Sequence, residues 1–550
     1  MAEIHYMDLD KNNQENLTGD VSIVTNNEPL NYVSFDGNGI DLEKSEKKTF
    51  LSEEDYDGYR SLLSNIAGVV PYGSEYPGIK LSRSDGYFDF KKGITISFYG
   101  DCCDEFEVEY KYENSVAGSS KRVTYPVTKN KFHFVPPEHK IEIDGIPELS
   151  QIYSIEFYFT LTKLPMQYVK VEYIKFGEVV VFDKLKSIEL LEEINVLSDD
   201  LPINSLNYSV VLKEPVEFDA GNPMNVYSNG RYYGTFYLDD AEQTAKQIYE
   251  VKAFNSIKIT DDTEYREWQL GTEFRHFQED IKKLTGIQII PPDYSIGAFG
   301  NIPINSCRYA ICQQAFACRL MVDGSRSDRI TLRPIPETVS SVITTADKRI
   351  IGEAKYTKTK PITSAKIQYA TTYTIDTLSD ETVQLDNPAN ERIVYYFNEP
   401  VEVKDEQPEG ITVFSSAGNY VDFISTKANI SLNVFKIKYL YNNFTVINDS
   451  VSETASNEKD FSKLNLRGVV FDENGWGTDQ IEAKTKDIKN YMKSVGTVKA
   501  KIVLEDEKVG DLIQIETAFD GIKTGIITSM SIGFGYKDVA EIEVLEWPNG

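Results

Sequence analysis

Phe106-Glu107-Val108-Glu109-Tyr110-Lys111-Tyr112 alternates apolar and charged residues without a break. A period of two sends every second side chain to one face, so the stretch reads as a half-buried strand. The same signature runs outward on both sides. Further strands are predicted at 94–99, 131–135, 154–162 and 168–176, and the cluster Asp36-Gly37-Asn38-Gly39 marks a turn. No long helical period interrupts them, so residues 1–180 are read as a β-sandwich.

Residues 181–265 continue in β pattern. Ser228-Asn229-Gly230 stands between Asn225-Val226-Tyr227 and a strand at 232–238, and Asn-Gly suits the positive φ angles of a type I′ hairpin. The period then changes. Phe274, Phe277, Ile281 and Leu284 recur at helical spacing, with Gly286 as the predicted C-cap. A strand at 287–290 follows, then a helix capped by Ser306 and running to about Leu320, then an Asp323-Gly324 turn into a strand at 330–333. Residues 266–340 thus form a small α/β domain. Residues 341–460 return to Thr- and Tyr-rich β sequence and end in a polar linker at about 448–460. Residues 461–550 hold a helix at 479–492 and strands at 497–504, 512–517, 525–532 and 540–545. The chain is expected to be mainly β and multidomain, with an N-terminal β-sandwich, tube-like β-barrel domains and a small α/β domain.

Composition narrows the function. At 550 residues the chain exceeds what a single core organises. A formal charge of -29 opposes binding nucleic acid through phosphate neutralisation, which needs Lys and Arg patches. Residues 1–12 carry no apolar core of a secretory signal, and no run approaches the roughly 18 apolar residues of a membrane span. The chain is therefore expected to fold in a cytoplasm, where Asn207 and Asn443 would be chance glycosylation matches. Cys102, Cys103, Cys307, Cys312 and Cys318 fit neither a disulfide framework nor a zinc spacing, so core packing is expected of them.

Catalytic signatures are sparse. His5, His133, His139 and His276 form no His-x-His or His-Glu-x-x-His pair. There is no Gly-x-Ser-x-Gly elbow, phosphate loop or Cys-His constellation. Asp472-Glu473-Asn474-Gly475-Trp476-Gly477-Thr478-Asp479 offers oxygen ligands, but it lacks a bidentate Glu at the twelfth loop position and is read as a helix-entry turn. Acidic residues are too numerous for sequence to single out a glycosidase pair. No enzymatic activity, cofactor or metal is expected.

The run from Phe182 to Val210, containing Leu201-Pro202-Ile203-Asn204, resembles a block of tail hub proteins from phages and prophages of low-GC Gram-positive bacteria. Asn225-Val226-Tyr227, Gly234-Thr235-Phe236-Tyr237-Leu238 and the helix around Phe277 follow in the family's order. Ile302-Pro303-Ile304-Asn305-Ser306-Cys307-Arg308-Tyr309-Ala310 is similar to the family's Ser-x-Arg-x-Ala helix, which leads to a strand ending Arg333-Pro334. Val509-Gly510-Asp511 through Gly525-Ile526-Ile527-Thr528 resembles its closing β unit. Upstream, Tyr32-Val33-Ser34-Phe35, the strand from Gly93, and Thr162-Lys163 through Gly177 resemble a galactose-binding-like sandwich often fused in front of such hubs. Leu164 and Met166-Gln167 depart from the small or basic residue and the aromatic usual there.

The resemblance implies a structural homotrimer at a virion tail tip, assembled in the host bacterial cytoplasm. It implies contacts with tail tube and distal tail proteins, the tape measure protein and spike or fibre proteins. An acidic lumen would repel passing DNA. The competing reading is adhesion to host surface polysaccharide through the sandwich, with Tyr99, Tyr110 and Tyr112 as glycan-contacting residues. Alternation sends Tyr110 and Tyr112 equally well to the core. A tail-associated wall hydrolase is the weakest reading, because Gly550 directly follows the closing β unit.

Overall fold

The structure is a computed structural model. It describes residues 2–9, separate strands and short segments between 34 and 149, and residues 152–547 apart from 163–168, 214–215, 267–271, 301, 303, 359, 361, 398–400, 418–419, 449–457, 462–465, 473 and 495. It is mainly β, with four α-helices among the described residues. The chain falls into two compact units. One comprises His5–Phe182 with Glu217–Pro223, and the other Met1–Ile4, Asp183–Val216 and Met224–Gly550.

The first unit stacks two antiparallel sheets. In one, Val169–Phe182 pairs with Ile94–Phe98, which in turn pairs with Lys131–Phe134. In the other, Cys103–Tyr112 lies between Ile152–Thr162 and Ser119–Pro126, and Ile79–Ser82 borders Ile152–Thr162. The alternation read at 106–112 is what the sheet uses. Phe106, Val108, Tyr110 and Tyr112 are buried, while Glu107, Glu109 and Lys111 take the other face. Phe106 fills the layer between the sheets, 5.7 Å from Phe98, 5.9 Å from Phe132 and 5.8 Å from Phe134 by ring centroids. Residues 36–38 of the predicted turn lie outside the described residues, but the strands beside them pair antiparallel, Phe35 against Ile40.

The unit is discontinuous in sequence, and Glu217–Pro223 is fastened into it by polar contacts. The Tyr6 hydroxyl donates to the Glu217 carbonyl at 3.2 Å and accepts from the Asp219 amide at 2.9 Å and from Asn222 Nδ2 at 3.0 Å. Lys92 Nζ bridges Asp8 at 2.5 Å and Asp219 at 3.0 Å.

The second unit is organised by one long strand, Gly521–Gly533. Its first half pairs with Leu512–Thr517 and its second half with Leu185–Glu193 on the same side, while Val539–Glu546 runs along the other. The β segments predicted as separate domains at 181–265 and 461–550 are therefore joined in one sheet. One path across it runs Lys355–Lys358, Gly496–Val503, Val539–Glu546, Gly521–Gly533, Leu185–Glu193, Ser205–Val211, Ile248–Phe254 and Arg231–Ala245, with Ser341–Ile343 joining beside Leu512–Thr517. Barrels were expected here. Among the described residues the sheet stays open, because no pairing joins Lys355–Lys358 to Arg231–Ala245. The predicted hairpin is present, with Asn229 at φ 51° and Gly230 at φ 78°.

The α/β part is assembled from α1 (Ser256–Asp262), α2 (Phe274–Thr285) and α3 (Cys307–Ala317). The predicted cap Gly286 follows α2 at φ 73°. Ser306 caps α3, its side chain accepting from the Tyr309 amide at 3.2 Å. The α3 helix ends before Leu320, which opens the strand Leu320–Asp323 beside Ile330–Pro334. The helix α4 (Ile481–Lys493) packs Ile488 and Met492 against Leu197, Phe316 and Ile367. Residues 364–461 carry two further sheets, and Leu385, Phe397, Val421, Phe423 and Leu432 share a separate core there.

Candidate functional site

The sequence blocks that resemble hub motifs meet in pairs. Arg308, at the start of α3, donates from Nε to the carbonyl of Leu201 at 2.8 Å and reaches Asp261 and Asp200 at 3.3 and 3.1 Å. Asn204, which closes the Leu201-Pro202-Ile203-Asn204 turn, accepts the Glu193 amide at 2.8 Å. The Ser-x-Arg helix thus fixes that turn by a charged donor on a backbone acceptor. Arg333 repeats the device further on. It donates to the Val509 carbonyl at 2.5 Å and pairs with Asp323 at 3.0 Å and Asp511 at 3.5 Å. Gly510 is at φ 81°, and a Cβ there would stand 2.3 Å from Arg333 Nη2. The sequence offered each motif singly; nothing in its patterning indicates that Arg308 and Arg333 are the partners.

These nodes hold a sheet with two unlike faces. Leu190, Leu206, Val251, Met530, Ile532, Ile542, Val498 and Ile502 are buried on one side. The other side is wet. Cross-strand partners along it run Lys355, Lys499, Glu543 and Ser529, and, past the long strand, Glu189, Asn207, Lys252 and Asp240. The next row brings Ser209, Glu250 and Glu242 together. Lys501 pairs with Glu541 at 3.2 Å, and Lys499 with Glu543, so the 496–546 part is internally neutralised. On strands 185–254 the wet face instead carries Glu189, Glu193, Asp240, Glu242 and Glu250, with Lys252 between Asn207 and Asp240. It is a broad, polar and acidic surface with serine and asparagine between the charges.

The glycan-contacting residues proposed from sequence find no support in their placement. Tyr110 is 0% and Tyr112 1% exposed, and their hydroxyls bond to the Tyr125 hydroxyl and the Pro137 carbonyl at 2.9 and 3.1 Å. The strand period turns both rings into the sandwich core, leaving no face for a sugar. Tyr99 lies outside the described residues, as do Cys102 and His139. Cys307, Cys312 and Cys318 are buried, and desolvation pushes their thiols up to about 11, 12 and 12. His276 is exposed beside Glu279, and His133 stands 3.1 Å from Thr95 Oγ1.

The Asp472 loop is a hairpin turn, and the segment then enters α4, where the Asp479 carboxylate accepts the Ile481 amide at 2.8 Å. The Asp472 carboxylate accepts the amides of Asn474 and Trp476 at 2.9 and 2.8 Å. Among the described residues no group of three or more His, Cys, Asp or Glu side chains is placed to hold a metal. One carboxylate pair does face across strands, Glu109 opposite Glu156, with Tyr158 donating to both at 2.9 and 3.1 Å. Burial acts to raise the Glu109 carboxyl, but hydrogen bonds from Ser120, Arg122 and Tyr158 outweigh it and hold it at about 2. A carboxyl so acidic holds no proton to donate near neutrality.

No family model matches the chain, and neither does any curated protein. Solved structures align with part of it. The 43 kDa tail protein of prophage MuSo2 from Shewanella oneidensis is 9% identical, covering 67% of this chain and 95% of its own, with a TM-score of 0.40. The prophage tail protein gp18 from Listeria monocytogenes is 11% identical over 67% and 91%, with a TM-score of 0.38. A tail protein from Neisseria meningitidis is 7% identical over 67% and 94%, with a TM-score of 0.40.

Proposed function

We propose that this chain is a structural, non-enzymatic hub of a phage-like tail tip. As such it closes the tail tube and connects it, as a homotrimer, to spike or fibre proteins and to the surrounding baseplate. One observation carries the reading: the resembling blocks at 182–210, 234–238 and 509–528 contribute strands to a single sheet whose wet face is polar and acidic across its 185–254 strands. A channel wall needs that character. It must stay hydrated, and it must not hold a polyanion, which unpaired carboxylates repel within a Debye length of about 10 Å at 0.1 M salt. On this reading the wet face lines the lumen, and the protein acts in the virion.

Light scattering of the purified chain with negative-stain imaging tests the assembly. A three-fold ring of about three chain masses supports the hub. For the lumen, Asn207→Cys labelled with maleimide-gold should place density inside the ring; density on the outer rim would remove the channel-wall role.

A further inference from the structure

Within the second unit, α4 and the segment from Pro334 to Glu337 both line a cleft of about 410 Å³. That size suits a small molecule or a few residues of peptide. Its apolar lining comes from Leu512 and Trp547, 2% and 6% exposed, and from Pro334, Ile335 and Pro336. Arg319 reaches it from the end of α3, at φ 63°. That backbone favours glycine, so a long cationic side chain stands here against strain. Its Nε and Nη2 donate to the two carboxylate oxygens of Asp487 at 2.7 and 3.1 Å, which leaves Nη1 with both hydrogens unengaged.

The charges of the cleft are only partly neutralised. Arg319 and Asp487 answer each other. Lys486 on α4 and Glu337 on the other segment do not. Among the described residues neither side chain makes a hydrogen bond or an ion pair, with the other or with any group. The Asn490 carboxamide, one turn beyond Lys486, and the Tyr294 hydroxyl make no hydrogen bond either. Lys486 and Glu337 are exposed, and Asn490 is half-buried. A purely anionic ligand would be drawn to Lys486 and repelled by Glu337, and a purely cationic one the reverse. A ligand that carries both charges is complementary to both. A carboxamide offers a donor and an acceptor side by side, as a peptide group requires.

We propose that the cleft binds a short extended peptide whose neighbouring side chains carry one carboxylate and one ammonium. The carboxylate takes Arg319 Nη1 and Lys486, the ammonium takes Glu337, and Asn490 pairs with a peptide group between them. The aliphatic stems of both side chains lie on Trp547 and the prolines. The site does not depend on the hub reading and stands or falls by itself.

The test is calorimetric titration of the full chain with acetyl-Glu-Ala-Lys-amide, with the neutral acetyl-Gln-Ala-Gln-amide, and with glucuronate. Trp547 locates the binding by its fluorescence, as the tryptophan that a Trp268→Phe/Trp476→Phe background retains. The charged peptide should bind saturably in the millimolar range or tighter and change the Trp547 emission. The neutral peptide should bind at least about tenfold more weakly, and Lys486→Ala should weaken the charged one by a similar factor. Glu337→Lys should weaken acetyl-Glu-Ala-Lys-amide and strengthen acetyl-Glu-Ala-Glu-amide, a reversal that a misfolded variant could not show. No saturable binding, or equal binding of charged and neutral peptides, overturns the proposal. Binding that leaves the Trp547 emission unchanged and ignores Glu337→Lys lies elsewhere and overturns it too. Binding of glucuronate without the peptide overturns it and assigns the cleft to an acidic sugar.

Discussion

Lys484 places a charge in the core. It is 2% exposed, its Nζ donates to the Leu197 carbonyl at 3.2 Å, and it stands 3.8 Å from the centre of the Phe316 ring. Desolvation lowers its pKa to about 8, against the opposing pull of Asp487 and Asp199. Because the folded value is depressed, the unfolded chain binds the extra proton between about pH 8 and the ordinary lysine value of 10.5, and stability rises with pH across that window. Below pH 8 the penalty is complete, on the order of 3 kcal/mol. Lys484→Met should therefore stabilise the protein at pH 7 by about 1–3 kcal/mol. In chemical denaturation its advantage over wild type should shrink between pH 8 and 10.5; an advantage that stays constant would assign it to packing. Gly510→Ala acts in the opposite direction. The positive φ and the Arg333 guanidinium 2.3 Å from the new Cβ predict a loss of about 2 kcal/mol or more in the same measurement.

Local elements were legible from sequence because their signals are local. Ser306 caps a helix, Asn229-Gly230 turns a hairpin, and alternation at 106–112 separates two faces of a strand, each within a few residues of its cause. The same alternation could not say whether Tyr110 and Tyr112 were core or surface, since a period of two yields two faces without labels. The return of Glu217–Pro223 to the first unit was also hidden, because the segment has no periodicity and its partners, Tyr6 and Lys92, are remote in sequence. It sets a prediction at this scale. Tyr6→Phe leaves the Asp219 amide and the buried Asn222 amide without their acceptor, a cost of about 1–3 kcal/mol. Limited proteolysis should then cut within 217–223 sooner than in wild type, whereas an unchanged digest would mean that Lys92 and the packing of Phe218 against Tyr6 and Phe182, at 5.3 and 5.9 Å between ring centroids, suffice.

At the scale of the whole molecule, sequence conveyed mainly-β, multidomain character but not which strands pair across it. The predicted boundaries at 265 and 461 cut through one sheet, because strand pairing across hundreds of residues leaves no mark on local composition. The charge of -29 was legible as a total, while its division between a neutralised 496–546 face and an acidic 185–254 face required the strand register. The same long-range pairing governs timing. Ser531 Oγ donates to Glu189 at 3.1 Å across 342 positions of chain. During synthesis the 185–193 strand therefore emerges long before its neighbour exists, and for that interval it waits with an open flank. The sheet is complete only after residues 521–546 have been synthesised.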